Sequence, residues 1–368
     1  MMNPSATAAS LMENPRTSWP SFRGTPDQRG IAGCSLAANP QPKWEVKSKD
    51  GWVGTATIAG NHVYAPALEG YIYCLDRETG RELWKYRSIE SVDPKEFAPG
   101  FKAAPLITDG IIYAGDEDGV MHAIKRDSGA LAWKFATGAE IAGCVAQYED
   151  RLLLASHDAF LYCLSMSGEE VWKFQTNDRI NCSPAIIDHF TFLAGCDEHL
   201  RIIDVVEGKE VRDIPLESFL IASPAIVGDY LYVGTHTGDV VSVNWKTGDI
   251  QWRYKNDRAM PFHASAAVTD QLVLVGGHDK TMHAINRATG EGIWTFATKA
   301  RIESSAVVAG DRVFFGSGDG NLYGLLLENG QEVWKFNGGK PFNAGLAVGE
   351  GCLVIGEDTQ NGRLRCFA

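Results

Sequence analysis

The chain has 368 residues and a formal net charge of −12. So acidic a chain lacks the basic footprint that nucleic acid or an anionic membrane surface requires, and no run approaches the roughly 18–20 apolar residues that span a bilayer. Its length would hold two average domains, but one repeat phase runs from residue 44 to residue 368, which makes a single large domain.

Residues 1–18 carry neither a basic stretch followed by an apolar one nor a repeat, so they are expected to form a flexible tail without a secretory signal. The single domain is expected over 19–368. Within it a tryptophan recurs at Trp44, Trp84, Trp133, Trp172, Trp252, Trp294 and Trp334, with Arg212 in the same register. The intervals are 40, 49, 39, 40, 40, 42 and 40 residues, the period of a β-propeller blade.

Each unit reads as four short strands. The stretch 103–133 is typical: AAPLIT, the turn Asp109-Gly110, IIYAG, the polar turn Asp116 to Gly119, VMHAIK, a turn ending at Gly129, then ALAWKF. Glycine lies four residues before the marker at Gly80, Gly129, Gly168, Gly208, Gly248, Gly290 and Gly330, where a tight turn needs positive φ. Trp44 has Pro40 at that offset instead. Its strand therefore joins a blade whose other strands, AGLAVG, CLVIGE and GRLRCF, come from the far end of the chain. The expected fold is all-β, an eight-bladed β-propeller of four-stranded antiparallel blades, closed by an N-terminal strand that completes the last blade.

The eight cysteines do not read as disulfides. Cys74, Cys163 and Cys366 stand where other blades have Ala123, Ala284 and Gly324, so they act as small buried residues. Equivalent positions in different blades are too far apart to bridge. Unpaired cysteines and the absent signal together point to the cytoplasm.

The turns between strands one and two are short throughout, and the face they share with the third-to-fourth turns reads as structural. The opposite face carries the irregular loops, chiefly Ser88 to Gly100 and Glu357 to Gly362. Just before each first strand, beside the channel, lie Val53, Lys102, Ala142, Asn181, Ile221, His263, Glu303 and Asn343. The turns between strands two and three supply Leu68, Glu117, His157, Asp197, His236, His278 and Gly318. His236, His263, His278 and Glu303 fall on successive blades, and imidazole with carboxylate suits metal binding or acid–base chemistry. Set against this, turn positions are usually polar, and residues spread over a ring would be too far apart to share an ion. A basic series, Arg179, Arg258, Lys299, Arg301 and Lys340 near Lys102, would draw an anionic ligand or an acidic partner segment together with Asn181 and Asn343. Its bland counterpart is a solvated rim of local pairs such as Asp178-Arg179 and Asp257-Arg258. Arg212 either stacks in the slot of the missing tryptophan or marks a degraded blade.

The segments Ser183-Pro184-Ala185-Ile186, Tyr232-Val233-Gly234 and Asp76-Arg77-Glu78-Thr79-Gly80-Arg81-Glu82-Leu83-Trp84 resemble the repeat of the pyrroloquinoline-quinone-type, BamB-like propellers. In that resemblance the tryptophans dock adjacent blades. Trp19-Pro20-Ser21-Phe22-Arg23-Gly24 is similar to the start of exported bacterial propellers of this class, which makes a periplasmic location the alternative. The resemblance implies a scaffold for a protein or peptide partner, since quinoprotein dehydrogenases are longer and carry a vicinal cysteine pair that this chain lacks. No cofactor is expected; a metal, or pyrroloquinoline quinone in a dehydrogenase, is the alternative, as is an enzyme or small-ligand site at the channel mouth.

Overall fold

The computed structural model describes residues 17–91, 93, 95–256 and 258–368. Its strands form eight four-stranded antiparallel sheets, and no α-helix occurs among the described residues. Blade 1 runs from β2 (Thr57–Ala59) to β5 (Glu82–Arg87), blade 2 from β6 (Leu106–Ile107) to β9 (Leu131–Ala136), and blade 3 from β10 (Ala146–Tyr148) to β13 (Glu170–Gln175). Blade 4 spans β14 (Ala185–Ile187) to β17 (Lys209–Pro215), and blade 5 β18 (Ala225–Val227) to β21 (Ile250–Lys255). Blade 6 spans β22 (Ala267–Val268) to β25 (Gly292–Ala297), and blade 7 β26 (Val307–Ala309) to β29 (Glu332–Asn337). Blade 8 comprises β30 (Ala347–Gly349), β31 (Cys352–Gly356), β32 (Arg363–Phe367) and, as its outer strand, β1 (Pro42–Lys47), which pairs antiparallel with β32.

Burial follows the layering. The second and third strands are apolar on both faces because both pack against neighbouring blades, whereas the outer strand of LAWKFA type alternates. The recurrent tryptophan sits on that outer strand, opposite the small third-strand residue: Trp84 faces Cys74, Trp133 faces Ala123 and Trp44 faces Cys366. The small side chain leaves room for the indole base. All eight cysteines are unpaired.

Each indole then reaches the next blade. Trp44 Nε1 donates to Arg77 O at 2.8 Å, and Trp172 Nε1 to Val205 O at 2.9 Å. Gly80 has φ +72, and a Cβ there would lie 2.7 Å from the Trp44 ring. The glycine is thus required twice, for the turn and for the close approach of the indole. Arg212 fills the slot in its own way, with Nη1 and Nη2 donating to Thr247 O and Lys246 O at 3.0 and 2.7 Å. Blade 4 is therefore docked like its neighbours. At the closure Trp334 Nε1 donates to Pro40 O at 3.0 Å, so the odd proline takes the carbonyl role of the missing turn.

The N-terminal segment is described from Thr17 onward. Residues 1–16 lie outside the described residues, but Thr17 O already accepts from Glu350 N, and Trp19 forms a bridge with Ile58. From there the chain circles the channel at the short-turn end. Ile107, Ile186, Ile226, Val268 and Val308 each donate a backbone N–H, to Pro20, Pro26, Asp27, Arg29 and Gly30. Inner strands would otherwise show open edges to the channel, and this segment covers them. Trp19 is 1 % exposed, and Arg23 is buried with Nη2 donating to Ala266 O at 2.9 Å. The face that reads as a plain set of short turns is closed by the chain's own start.

Candidate functional site

The channel is a blind well of about 190 Å³, floored by Phe22 and lined at mid-depth by one residue per blade. These are Thr55, Ala104, Cys144, Ser183, Ser223, Ser265, Ser305 and Gly345, two places beyond the aligned mouth position. They form a belt. Ala104 N donates to Cys144 Sγ, Cys144 N to Ser183 Oγ, Ser183 N to Ser223 Oγ, Ser223 N to Ser265 Oγ and Ser265 N to Ser305 Oγ, at 2.9–3.1 Å. Inner-edge donors that the N-terminal segment does not reach are thus satisfied from the next blade, and these hydroxyls are occupied in structure.

At the mouth a second rule holds. In blades 2, 4 and 8 the residue before the first strand pairs with the turn residue fifteen places on in its own blade. Lys102 Nζ meets Glu117 at 2.8 Å, and Glu140 at 3.0 Å. Asn181 Nδ2 meets Cys196 Sγ at 2.8 Å, and Asn343 Nδ2 meets Asp358 Oδ2 at 2.9 Å. Asp197, expected on the rim, instead turns inward to Arg201.

That inward turn is general. The acid of the second turn accepts from the third strand: Asp116 from His122 Nε2 at 2.8 Å, Asp158 from Tyr162 at 2.7 Å, Asp279 from His283 at 3.0 Å, Asp319 from Tyr323 at 2.8 Å, and Glu357 from Arg365. In blades 2 and 6 the network continues across the blade interface, Tyr86 to His122 Nδ1 at 2.9 Å and Tyr254 to His283 Nδ1 at 3.0 Å. Sequence reasoning passed over this anchor, although VMHAIK and TMHAIN place a histidine at the same strand position.

Blades 5 to 7 carry a different set of side chains at these two positions. Ile221 has His236 as its turn residue, His263 has His278, and Glu303 has Gly318. The side chains left over meet one another. His263 Nε2 lies 2.9 Å from His236 Nδ1, and the rings of His263 and His278 meet edge to face with centroids 4.3 Å apart. His278 Nε2 is 3.3 Å from Glu303 Oε1, but it is buried without a hydrogen bond. Arg301 Nε reaches the same oxygen at 3.2 Å. Burial, then His278, His236 and Arg301 close by, push His263 down to about 4. Burial likewise lowers His278, so both imidazoles are neutral near neutral pH.

The basic series does not converge. Lys102 is held between two carboxylates, Arg258 Nη1 reaches Asp279 O at 3.3 Å, and Lys340 Nζ is tied to Gln360 and Asn361 carbonyls. Arg179 is exposed, and Arg301 points to Glu303. Asp257 lies outside the described residues, as do Val92 and Pro94 of the Ser88 to Gly100 loop.

A family model described as outer membrane protein assembly factor BamB matches residues 35–147, 117–267 and 255–360. The chain belongs to the BamB family. BamB of Xanthomonas campestris pv. campestris is 22% identical over 304 residues, covering 77% of this chain and 73% of that one. A tetrathionate hydrolase of Acidithiobacillus ferrooxidans is 22% identical over 153 residues, 41% of this chain but 28% of that protein's length. Among solved structures, BamB from Moraxella catarrhalis superposes with a TM-score of 0.74 at 17% identity, over 89% of this chain and 97% of that one. The quinohemoprotein alcohol dehydrogenase of Comamonas testosteroni gives 0.80 at 10% identity, over 95% and 80%. At such identities the structural likeness speaks for the fold. Among the described residues of this BamB-family chain no helix is long and apolar enough to cross a membrane.

Proposed function

We propose that the chain is a non-enzymatic propeller scaffold that binds a protein or peptide partner through the loop face around the channel mouth. The observation that carries this reading is the exposed apolar set on that face. Phe97 is 73% exposed on the Ser88 to Gly100 loop, and Phe219, Ile221 and Met260 are exposed around the mouth in blades 4 to 6. Phe219 stands beside His236, with ring centroids 6.2 Å apart. Large apolar side chains on irregular loops, over a rigid ring, fit a protein-binding surface. The relatives' name, outer membrane protein assembly factor, supports a partner in outer-membrane assembly and a place in the bacterial envelope. The cytoplasmic expectation finds no support among them.

Quinone oxidation is the reading the dehydrogenase neighbours raise. The well offers a tricarboxylate quinone no free lysine: Lys102, which lines it, is already held by Glu117 and Glu140. No vicinal cysteine pair is present in the sequence.

A photocrosslinking residue at Phe97, Phe219 or Met260, in the native host, should yield one defined protein adduct. The same residue at Asp270, on the short-turn face, should yield none. Equal labelling from both faces, or none from the mouth, would remove the scaffold reading.

A further inference from the structure

We propose that His263, His278 and Glu303 bind one zinc-type divalent ion at the channel mouth. The offered ligand atoms all lie within 4.8 Å of one another. Tetrahedral zinc with bonds of ~2.1 Å places its ligands ~3.4 Å apart, so side-chain adjustment closes the set without moving a strand. Two of the ligands come from blade 6 and the third from blade 7, so the ion would pin neighbouring blades where they converge.

Three observations favour an ion over a plain polar rim. In blades 2 and 8 the mouth pair joins unlike groups, ammonium with carboxylate or amide with carboxylate, but in blade 6 it sets imidazole against imidazole. His278 Nε2 is buried, faces Glu303 and has no hydrogen bond. A buried ring nitrogen left so costs stability that a metal bond would recover. His236 Nδ1, 2.9 Å from His263 Nε2, supplies the fourth position by a small rotation or leaves it to water.

The donor chemistry selects the ion. Two imidazoles and one carboxylate suit zinc and disfavour calcium or magnesium, which take oxygen ligands. Arg301 is the opposing charge. It is 57% exposed at the side chain and holds Glu303 through Nε, so on ion binding it swings to solvent or keeps only the outer oxygen.

The cysteine thiols compete for zinc, so the test must exclude them. Two cysteines, Cys34 and Cys196, are partly exposed, and Cys196 lies near the mouth. The experiment uses the full chain carrying Cys34→Ser and Cys196→Ser, stripped with chelator and titrated with zinc chloride by calorimetry. Cobalt chloride, followed by its visible absorption, reports the ligand geometry. One equivalent should bind, with the absorption of tetrahedral nitrogen and oxygen ligation, and melting should shift upward. His263→Ala and Glu303→Gln should each weaken binding by at least tenfold. His189→Ala, a change at an exposed histidine on another face, should leave it unchanged. Absence of binding overturns the proposal. So does stoichiometric binding that survives His263→Ala in protein whose circular dichroism is native, because that would place the ion elsewhere. Calcium binding of equal strength would also overturn it.

Discussion

The two ends of the channel are made by the same repeats yet finished in opposite ways. At the short-turn end a non-repeating segment from Thr17 to Ala32 threads past the inner strands, trading backbone hydrogen bonds with six of the eight blades through Trp19 to Ala32 and with blade 8 through Thr17. At the mouth, among the described residues, no chain segment enters, and side chains finish the ring. The first solution buries Trp19 and Arg23 and half-buries Phe22. The second leaves Phe219, Ile221, Met260 and the histidine cluster reachable. Under the scaffold proposal, the face finished by side chains is the one that meets the partner.

Breaking the floor should have the largest effect. Trp19→Ala removes an indole that is 1% exposed and packs with Ile58, Leu346 and Val348 in the cluster joining blades 8 and 1. The expected loss is about 3–5 kcal/mol, read as a fall in the urea midpoint with the m-value unchanged. A loss under about 1 kcal/mol would mean that the segment lies on the ring without sealing it.

A smaller effect tests the layer beneath the mouth. His122 is fully buried between Tyr86 and Asp116, with Lys134 near it, and burial lowers it below its usual 6.5. The folded protein therefore binds this proton less readily than the unfolded chain. Stability from this group is complete above about 6.5 and is lost as pH falls toward the folded value. Thermal melting should fall from pH 7 to pH 5, and His122→Gln should flatten part of that slope. An unchanged slope in the variant would assign the acid sensitivity to other groups.

The period, the docking tryptophans, the glycine offset and the Pro40 exception were legible because each recurs at one interval, and a repeated physical need writes a repeated residue. The floor was not. Trp19, Pro20, Pro26, Asp27, Arg29 and Gly30 meet inner strands that lie progressively farther along the chain, one contact per blade, and no period records that. The mouth was legible by half. Aligning repeats put His236, His263, His278 and Glu303 on one rim, but whether they touch depends on how closely blades converge at the channel. The turn acids illustrate the reverse error: Asp197 has the right position and the wrong direction, because Arg201 on the third strand draws it inward.

The smallest expected effect is the sharpest on function. Phe219 is 46% exposed, with its ring beside His236, so Phe219→Ser should change stability by no more than about 0.5 kcal/mol. If the mouth is a partner surface, the same change should abolish the mouth-specific crosslink, since exposed aromatics carry much of the energy of such contacts. Retention of the crosslink with intact folding would move the partner contact out to Phe97 on the blade 1 to blade 2 loop. A loss of 2 kcal/mol or more would instead make Phe219 part of the ring. The mouth would then be finished structurally, as the floor is, and the contrast between the two ends would disappear.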